Sequence, residues 1–149
     1  MRAVVQRVSE ASVTVGGKVQ SAIGGGLLVY LGVDREDTED DVTYVADKVR
    51  HLRIFPDQSD KMNHDVVEGG GSVLVVSAFT VSADARKGRR PTFETACEPD
   101  RARHLYEALC DTLQNAGVPV QRGSFGEEMR VQSVNAGPIC MLLHSRRLF

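Results

Sequence analysis

Gly69-Gly70-Gly71-Ser72-Val73-Leu74-Val75-Val76-Ser77-Ala78-Phe79-Thr80-Val81 is the stretch from which the fold is read. A glycine turn leads into an aliphatic, largely β-branched run with no charge and no proline. Such a run is the pattern of a central strand covered on both faces. Two hydroxyls, Ser77 and Thr80, arrive where the apolar character fades. Side chains alternate along a strand, so continued extension puts Ser77 with Phe79 on one face and Ala78 with Thr80 on the other. Hydroxyls at the end of a buried strand are either satisfied by nearby backbone or are site groups on a rigid element. The run alone leaves both open.

Working outward, Leu27-Leu28-Val29-Tyr30-Leu31-Gly32-Val33 is a second apolar run and a second candidate for a covered strand. Ala3 to Val8 alternates and reads as a first strand. Ser12-Val13-Thr14-Val15, Gly16-Gly17 and Lys18-Val19-Gln20-Ser21 form a hairpin signal, because paired glycines suit a tight primed turn. Val42, Val45, Ala46, Val49 and Leu52 recur at helical spacing behind Thr38 as N-cap, with Asp41 three residues on as its capping-box partner. That helix ends near His51. Arg53 to Pro56 is a short extended piece and Pro56 to Asn63 a loop. A second helix starts at Pro99-Asp100, carries Ala102, Leu105, Tyr106, Leu109 and Leu113 as its apolar stripe, and has Gly117 beyond its end.

Val118 to Gln121 is extended, Ser124 to Glu128 turn-like, and Met129 to Val134 a strand. Asn135-Ala136-Gly137-Pro138 is a turn, Ile139 to Leu143 a last strand, and His144 to Phe149 a tail. The sum is an α+β fold: an antiparallel or mixed β-sheet packed with two main amphipathic helices, in a single domain spanning residues 1–149.

Composition narrows the function classes. No apolar run approaches the ~20 residues that span a bilayer, and the alternating start is not a signal peptide. A cytoplasmic protein is expected. Cys97, Cys110 and Cys140 are widely spaced and odd in number, as reduced thiols are; His51, His64, His104 and His144 lack metal-site spacing. No metal and no cofactor are expected. With 18 Lys+Arg against 20 Asp+Glu, the net charge is −2. That argues against wrapping duplex DNA, but a short single-stranded end needs only a few cations. The basic stretch Ala85-Arg86-Lys87-Gly88-Arg89-Arg90-Pro91 is either a solvated loop or a phosphate-contacting patch.

No nucleophile elbow, P-loop or dinucleotide fingerprint is present. What remains is Ser77 and Thr80 at a strand end, and the Asn135 to Pro138 turn. Both carry a resemblance. Ser77-Ala78-Phe79-Thr80-Val81 resembles the Ser-Gln-Phe-Thr-Leu motif of the D-aminoacyl-tRNA deacylases. Asn135-Ala136-Gly137-Pro138-Ile139-Cys140 resembles their Asn-x-Gly-Pro-Val-Thr motif. Gln6-Arg7-Val8, Ala11 to Val15, Gly26 to Val29, Arg53-Ile54-Phe55, Lys61-Met62-Asn63, Gly70 to Ser77 and Arg90 to Phe93 are similar to that family too, so the likeness covers nearly the whole chain. Ala78 departs from it, standing where the family has Gln, and Cys140 stands for Thr.

The resemblance implies a barrel-like sheet and a homodimer with its active site at the interface. It implies hydrolysis of the ester joining a D-amino acid to the terminal adenosine of tRNA, with glycyl-tRNA admitted as well. A cis Gly137-Pro138 bond would reach into the partner's site and exclude L side chains. Thr80 and the backbone at Phe79 would polarise the ester carbonyl, with Ser77 in support. Met129 and Phe79 would pack near adenine or belong to the core. Ala78 and Asn135 would line the substrate site. Arg7 would brace the partner's Gly-Pro turn or form a strand-surface ion pair. The alternatives are an esterase with Thr80 as nucleophile and a non-catalytic dimer that binds the tRNA end.

Overall fold

In the computed structural model, which describes residues 1–148, the stretches read as Ala3–Val8 and Ser12–Val15 run on as one strand, β1 (Arg2–Val15). Its length lets it serve two partners along one edge. The first half pairs antiparallel with β3 (Gly26–Gly32), and the second half with β2 (Lys18–Ile23) across the Gly16-Gly17 turn. Along the other edge runs β8 (Arg130–His144), also antiparallel. The β1–β8 register slips between Gln6 and Val8 and between Val8 and Glu10. Such bulges bend a strand and raise its twist, which lets one long strand belong to two halves of a curling sheet.

The central run is β6 (Ser72–Ser77), parallel to β3 on one side and to β7 (Val120–Arg122) on the other. Parallel neighbours need crossovers. The two helices supply them: α1 (Glu39–His51) lies between β3 and β6 in the chain, and α2 (Pro99–Asn115) between β6 and β7. A small hairpin of β4 (Phe55–Pro56) and β5 (Met62–His64) occupies part of the segment expected to be loop.

Coverage on both faces follows from this layout. Val73 and Val75 join Leu27, Val29 and Leu31 under the helices, packed against Val45, Val49, Leu105 and Leu109. Leu74 and Val76 face the other way and meet Leu28, Val13 and Ile23 inside the nearly closed mixed sheet. The fold is α+β, as expected.

Asp41 accepts a hydrogen bond from the Thr38 N–H at 2.8 Å, so the first helix starts where its capping pattern placed it. The second helix starts at Pro99 as expected, and Glu98 caps it, accepting from the Arg101 N–H at 2.8 Å and the Asp100 N–H at 3.1 Å. The segment read as a tail from His144 is docked at its start. His144 is the buried end of β8, and Ser145 Oγ accepts from the Met1 amino group at 2.9 Å. That amino group also pairs with buried Asp37. Phe149 lies outside the described residues. Among the described residues no helix is long and apolar enough to cross a membrane.

Candidate active site

At the end of β6 the Ala78 N–H donates to the Leu31 carbonyl at 2.8 Å, one rung beyond the parallel ladder. The chain then leaves the strand for a single 3-10 turn, Phe79–Ser82, in which the Val81 N–H returns to the Ala78 carbonyl at 3.0 Å. Phe79 and Thr80 therefore do not alternate with Ser77 and Ala78, and the expected sharing of strand faces does not hold. Gly32 lets the turn pack against β3: a Cβ there would lie 3.0 Å from both Ser82 Oγ and Val81 Cβ.

A helical start leaves its first N–H groups without intrahelical acceptors. Here the N–H groups of Phe79 and Thr80 meet no acceptor among the described residues. The hydroxyls of Ser77 and Thr80 likewise have no partner there, so neither is the satisfied structural hydroxyl that the sequence left open. Both open onto a cleft of ≈ 740 Å³ whose wall is mainly apolar.

Ser77, Ala78, Phe79 and Thr80 form one side of this cleft, with Met129 beside them. Phe79 is 61 % exposed, which removes it from the core; its ring meets Phe93 edge-on at 5.0 Å. Met129 is half-buried and belongs partly to the barrel core. The sequence did not single out the rest: Tyr30 from β3, Cys97 and Tyr106 at α2, and Phe125 and Glu127 from the turn before β8. The Ser124 to Glu128 turn gave no sign of facing Thr80, because only the fold brings it there.

Burial pushes the Tyr106 phenol well above the usual range, and its hydroxyl donates to the Val75 carbonyl at 2.9 Å. Burial also pushes the Cys97 thiol up, which opposes its use as a thiolate. No histidine, lysine or arginine lines the cleft, and Glu127 is its one carboxylate among the described residues.

A second constellation sits on β8. Val8 pairs with Asn135 and Gln6 with Cys140, so Ala136 to Ile139 bulge out opposite Arg7. The expected turn between two strands is thus a bulge within one strand. Asn135 closes it: its Oδ1 accepts from the Ile139 N–H at 2.9 Å, and its Nδ2 donates to the Ile139 carbonyl at 3.2 Å. Arg7 Nε donates to the Ala136 carbonyl at 3.1 Å, and its Nη1 to the Ile54 carbonyl at 2.6 Å. Within this chain the Gly-Pro segment that Arg7 braces is its own, and Arg7 forms no ion pair among the described residues, so the reading of a strand-surface ion pair does not hold. Gly137-Pro138 is cis, and both residues are exposed. Gly137 has φ +135°, and a Cβ there would lie 2.8 Å from Ile139 Cγ1.

The structure thus brings Ser77, Ala78, Phe79, Thr80 and Met129 together, and Arg7, Asn135, Gly137 and Pro138 together. The second group does not line the cleft that the first one opens.

Residues 4–144 match the family model described as D-Tyr-tRNA(Tyr) deacylase. A D-aminoacyl-tRNA deacylase of Syntrophobacter fumaroxidans is 54% identical over 149 residues, the whole of both chains. One of Anaeromyxobacter dehalogenans is 55% identical, again over all of both. Among solved structures, the c-Myc DNA Unwinding Element Binding Protein superposes with a TM-score of 0.92 at 38% identity, covering 97% of this chain and 98% of that one. A probable eukaryotic D-amino acid tRNA deacylase shares the fold, with a TM-score of 0.80 at 18% identity over 95% of this chain and 97% of that one. A match over nearly the full length, with relatives above half identity, places the chain in the D-Tyr-tRNA(Tyr) deacylase family.

Proposed function

We propose that this protein hydrolyses the ester of D-aminoacyl-tRNA, releasing free tRNA and the D-amino acid, and that it also clears glycyl-tRNA. The observation that carries the reading is the start of the 3-10 turn. Two unpartnered backbone N–H groups, at Phe79 and Thr80, and two unpartnered hydroxyls open together onto an apolar cleft. That arrangement suits an ester carbonyl whose oxygen gains negative charge as water attacks, because fixed donors stabilise charge that develops in the transition state. Thr80 and the Phe79 backbone polarise the carbonyl, Ser77 supports them, and Ala78, Met129 and the Phe79 ring meet the terminal nucleoside.

Two groups that do not meet within one chain favour a homodimer. In it, Gly137-Pro138 of one copy closes the cleft of the other. Strand β8 supports this: it pairs with β1 alone among the described strands, and Val134 and Leu142 on it are 50% and 57% exposed. A long apolar edge strand is a liability unless something covers it. A rigid backbone wall at that place rejects an L side chain by collision, while a D side chain points away. Discrimination then comes from excluding the wrong substrate rather than from reading the right one. Asn135 and Arg7 act by holding that wall, not by touching substrate. The substrate is a product of the translation machinery, so a cytoplasmic location follows.

The test is release of D-tyrosine from D-Tyr-tRNA with chelator present. Turnover supports the deacylase. Tight binding of charged tRNA with an intact ester would instead support the non-catalytic binding dimer. The Thr80-nucleophile esterase has less behind it: among the described residues the cleft holds no histidine or lysine to activate a hydroxyl, and a neutral hydroxyl is a weak nucleophile.

A further inference from the structure

Nine residues that none of the roles above uses, Asp84 to Thr92, leave the 3-10 turn and come back to it. The neck is closed by two backbone hydrogen bonds, Asp84 N–H to the Thr92 carbonyl at 2.8 Å and Thr92 N–H to the Asp84 carbonyl at 2.9 Å. The chain leaves by Ser82 and re-enters by Phe93, whose ring rests on Phe79 at the cleft mouth. Thr95 Oγ1 adds a donation to the Ser82 carbonyl at 3.2 Å. The loop is therefore tied at its base to the element that lines the cleft.

Its charge is out of keeping with the chain. Four cations fall within residues 86–90 of a protein whose net charge is −2. One of them is used internally: Arg86 grips Asp84 as a fork, Nε to Oδ1 at 2.9 Å and Nη2 to Oδ2 at 2.6 Å. The other three, Lys87, Arg89 and Arg90, are exposed, and their side chains make no ion pair or hydrogen bond among the described residues. Held beside a cleft mouth, three unpaired cations suit a row of phosphates. Arg86 fixes the loop; the others face solvent.

Resting on the reading of the cleft as the site for the terminal nucleoside of tRNA, we infer that Lys87, Arg89 and Arg90 grip the phosphates of the acceptor strand just before it. The loop thereby supplies affinity for the polynucleotide and leaves the chemistry to the cleft. Net negative charge elsewhere restricts the contact to a few phosphates, so dependence on salt is shallow.

The test compares wild type with the triple variant Lys87→Gln, Arg89→Gln, Arg90→Gln on two substrates, D-Tyr-tRNA and D-tyrosyl-adenosine. The second has the ester and the nucleoside but no phosphate. The expected result is a loss of about tenfold or more in kcat/KM on the tRNA, carried by KM, with D-tyrosyl-adenosine cleaved as before. The slope of log affinity against log salt should fall by about 2, at roughly 0.7 per single-strand phosphate contact. An equal loss on both substrates would overturn the inference, since the loop would then be shaping the cleft through Phe93. So would unchanged kinetics on the tRNA. Binding of an uncharged acceptor-stem minihelix, read in parallel, needs no turnover. If wild type cleaves neither ester, the reading of the cleft fails, and the minihelix still decides the loop. Weaker binding and a flatter salt slope in the variant support it. Equal binding by the variant, or duplex DNA of the same length competing as well as the minihelix, overturns it.

Discussion

The side-chain amide of Asn135 pairs with the backbone of Ile139 in both directions, donating to its carbonyl and accepting from its N–H. This side chain stands in for a rung of the ladder where β8 bulges away from β1. It spans the residues that present Gly137 and Pro138, so their position depends on an amide that need never touch substrate.

Replacing Asn135 with Ala removes both hydrogen bonds and leaves a half-buried Ile139 N–H without its partner. A loss of about 1–3 kcal/mol in stability is expected, read as a shift in the denaturant midpoint. Cleavage of L-Tyr-tRNA should rise relative to D-Tyr-tRNA. Asn135→Asp keeps the acceptor and should lie between the two. A stability loss with unchanged D-to-L ratio would confine Asn135 to folding.

Gly137→Ala tests the wall itself. Its Cβ would fall 2.8 Å from Ile139 Cγ1 and 3.0 Å from Ile139 N, with φ +135° unfavourable for any L residue. The bulge must shift to admit it, at a cost of about 1–3 kcal/mol. D-to-L discrimination, measured on both charged tRNAs, should weaken in whatever folded protein remains.

Thr80→Ala separates polarisation from covalent catalysis. If Thr80 assists two backbone donors, turnover should fall by about 10²-fold and no further, as for loss of one oxyanion donor. Mass spectrometry of wild type mixed with substrate should show no aminoacyl adduct. A trapped adduct at Thr80, or complete loss of turnover in the variant, would make it the nucleophile.

How much of this could be read from the residues varies from element to element. The apolar runs around Val75 and Val29 told of strands covered on both faces, because burial on two sides leaves no polar positions to alternate. Thr38 with Asp41 marked the start of α1, and the helical spacing from Val42 to Leu52 carried it on. By contrast, Ala3–Val8 and Ser12–Val15 were read as separate stretches and Asn135 to Pro138 as a turn, yet β1 and β8 run through both places. A bulge uses the same turn-forming residues as a loop, and only the partner strand tells the two apart. The departure of Phe79 and Thr80 from the strand was hidden for a related reason: one 3-10 turn is too short to have a period. The far side of the cleft, Phe125 and Glu127, lies some forty-five residues from Thr80 along the sequence and meets it through the packing of α2 and β7.

His144 gives a prediction in pH. Burial first, then the positive charges of the Met1 amino group, Arg2 and Arg146, hold its pKa below the ordinary 6.5, against an opposing pull from Asp34. The folded state favours the neutral ring, so between the two pKa values the unfolded chain binds more protons. Stability should be full above pH 6.5, fall as the pH drops through that value toward the lower folded one, and then level off. Thermal midpoints across pH 5 to 8 should show this slope in wild type and a flatter one in His144→Gln, over about that range.

If the proposed function holds, the cleft cleaves the ester and chirality decides which ester enters. The most direct measurement follows D-Tyr-tRNA, L-Tyr-tRNA and Gly-tRNA side by side with wild type and chelator. The D-tyrosyl and glycyl esters should be lost rapidly and the L-tyrosyl ester should persist. Equal cleavage of the D and L esters would contradict it.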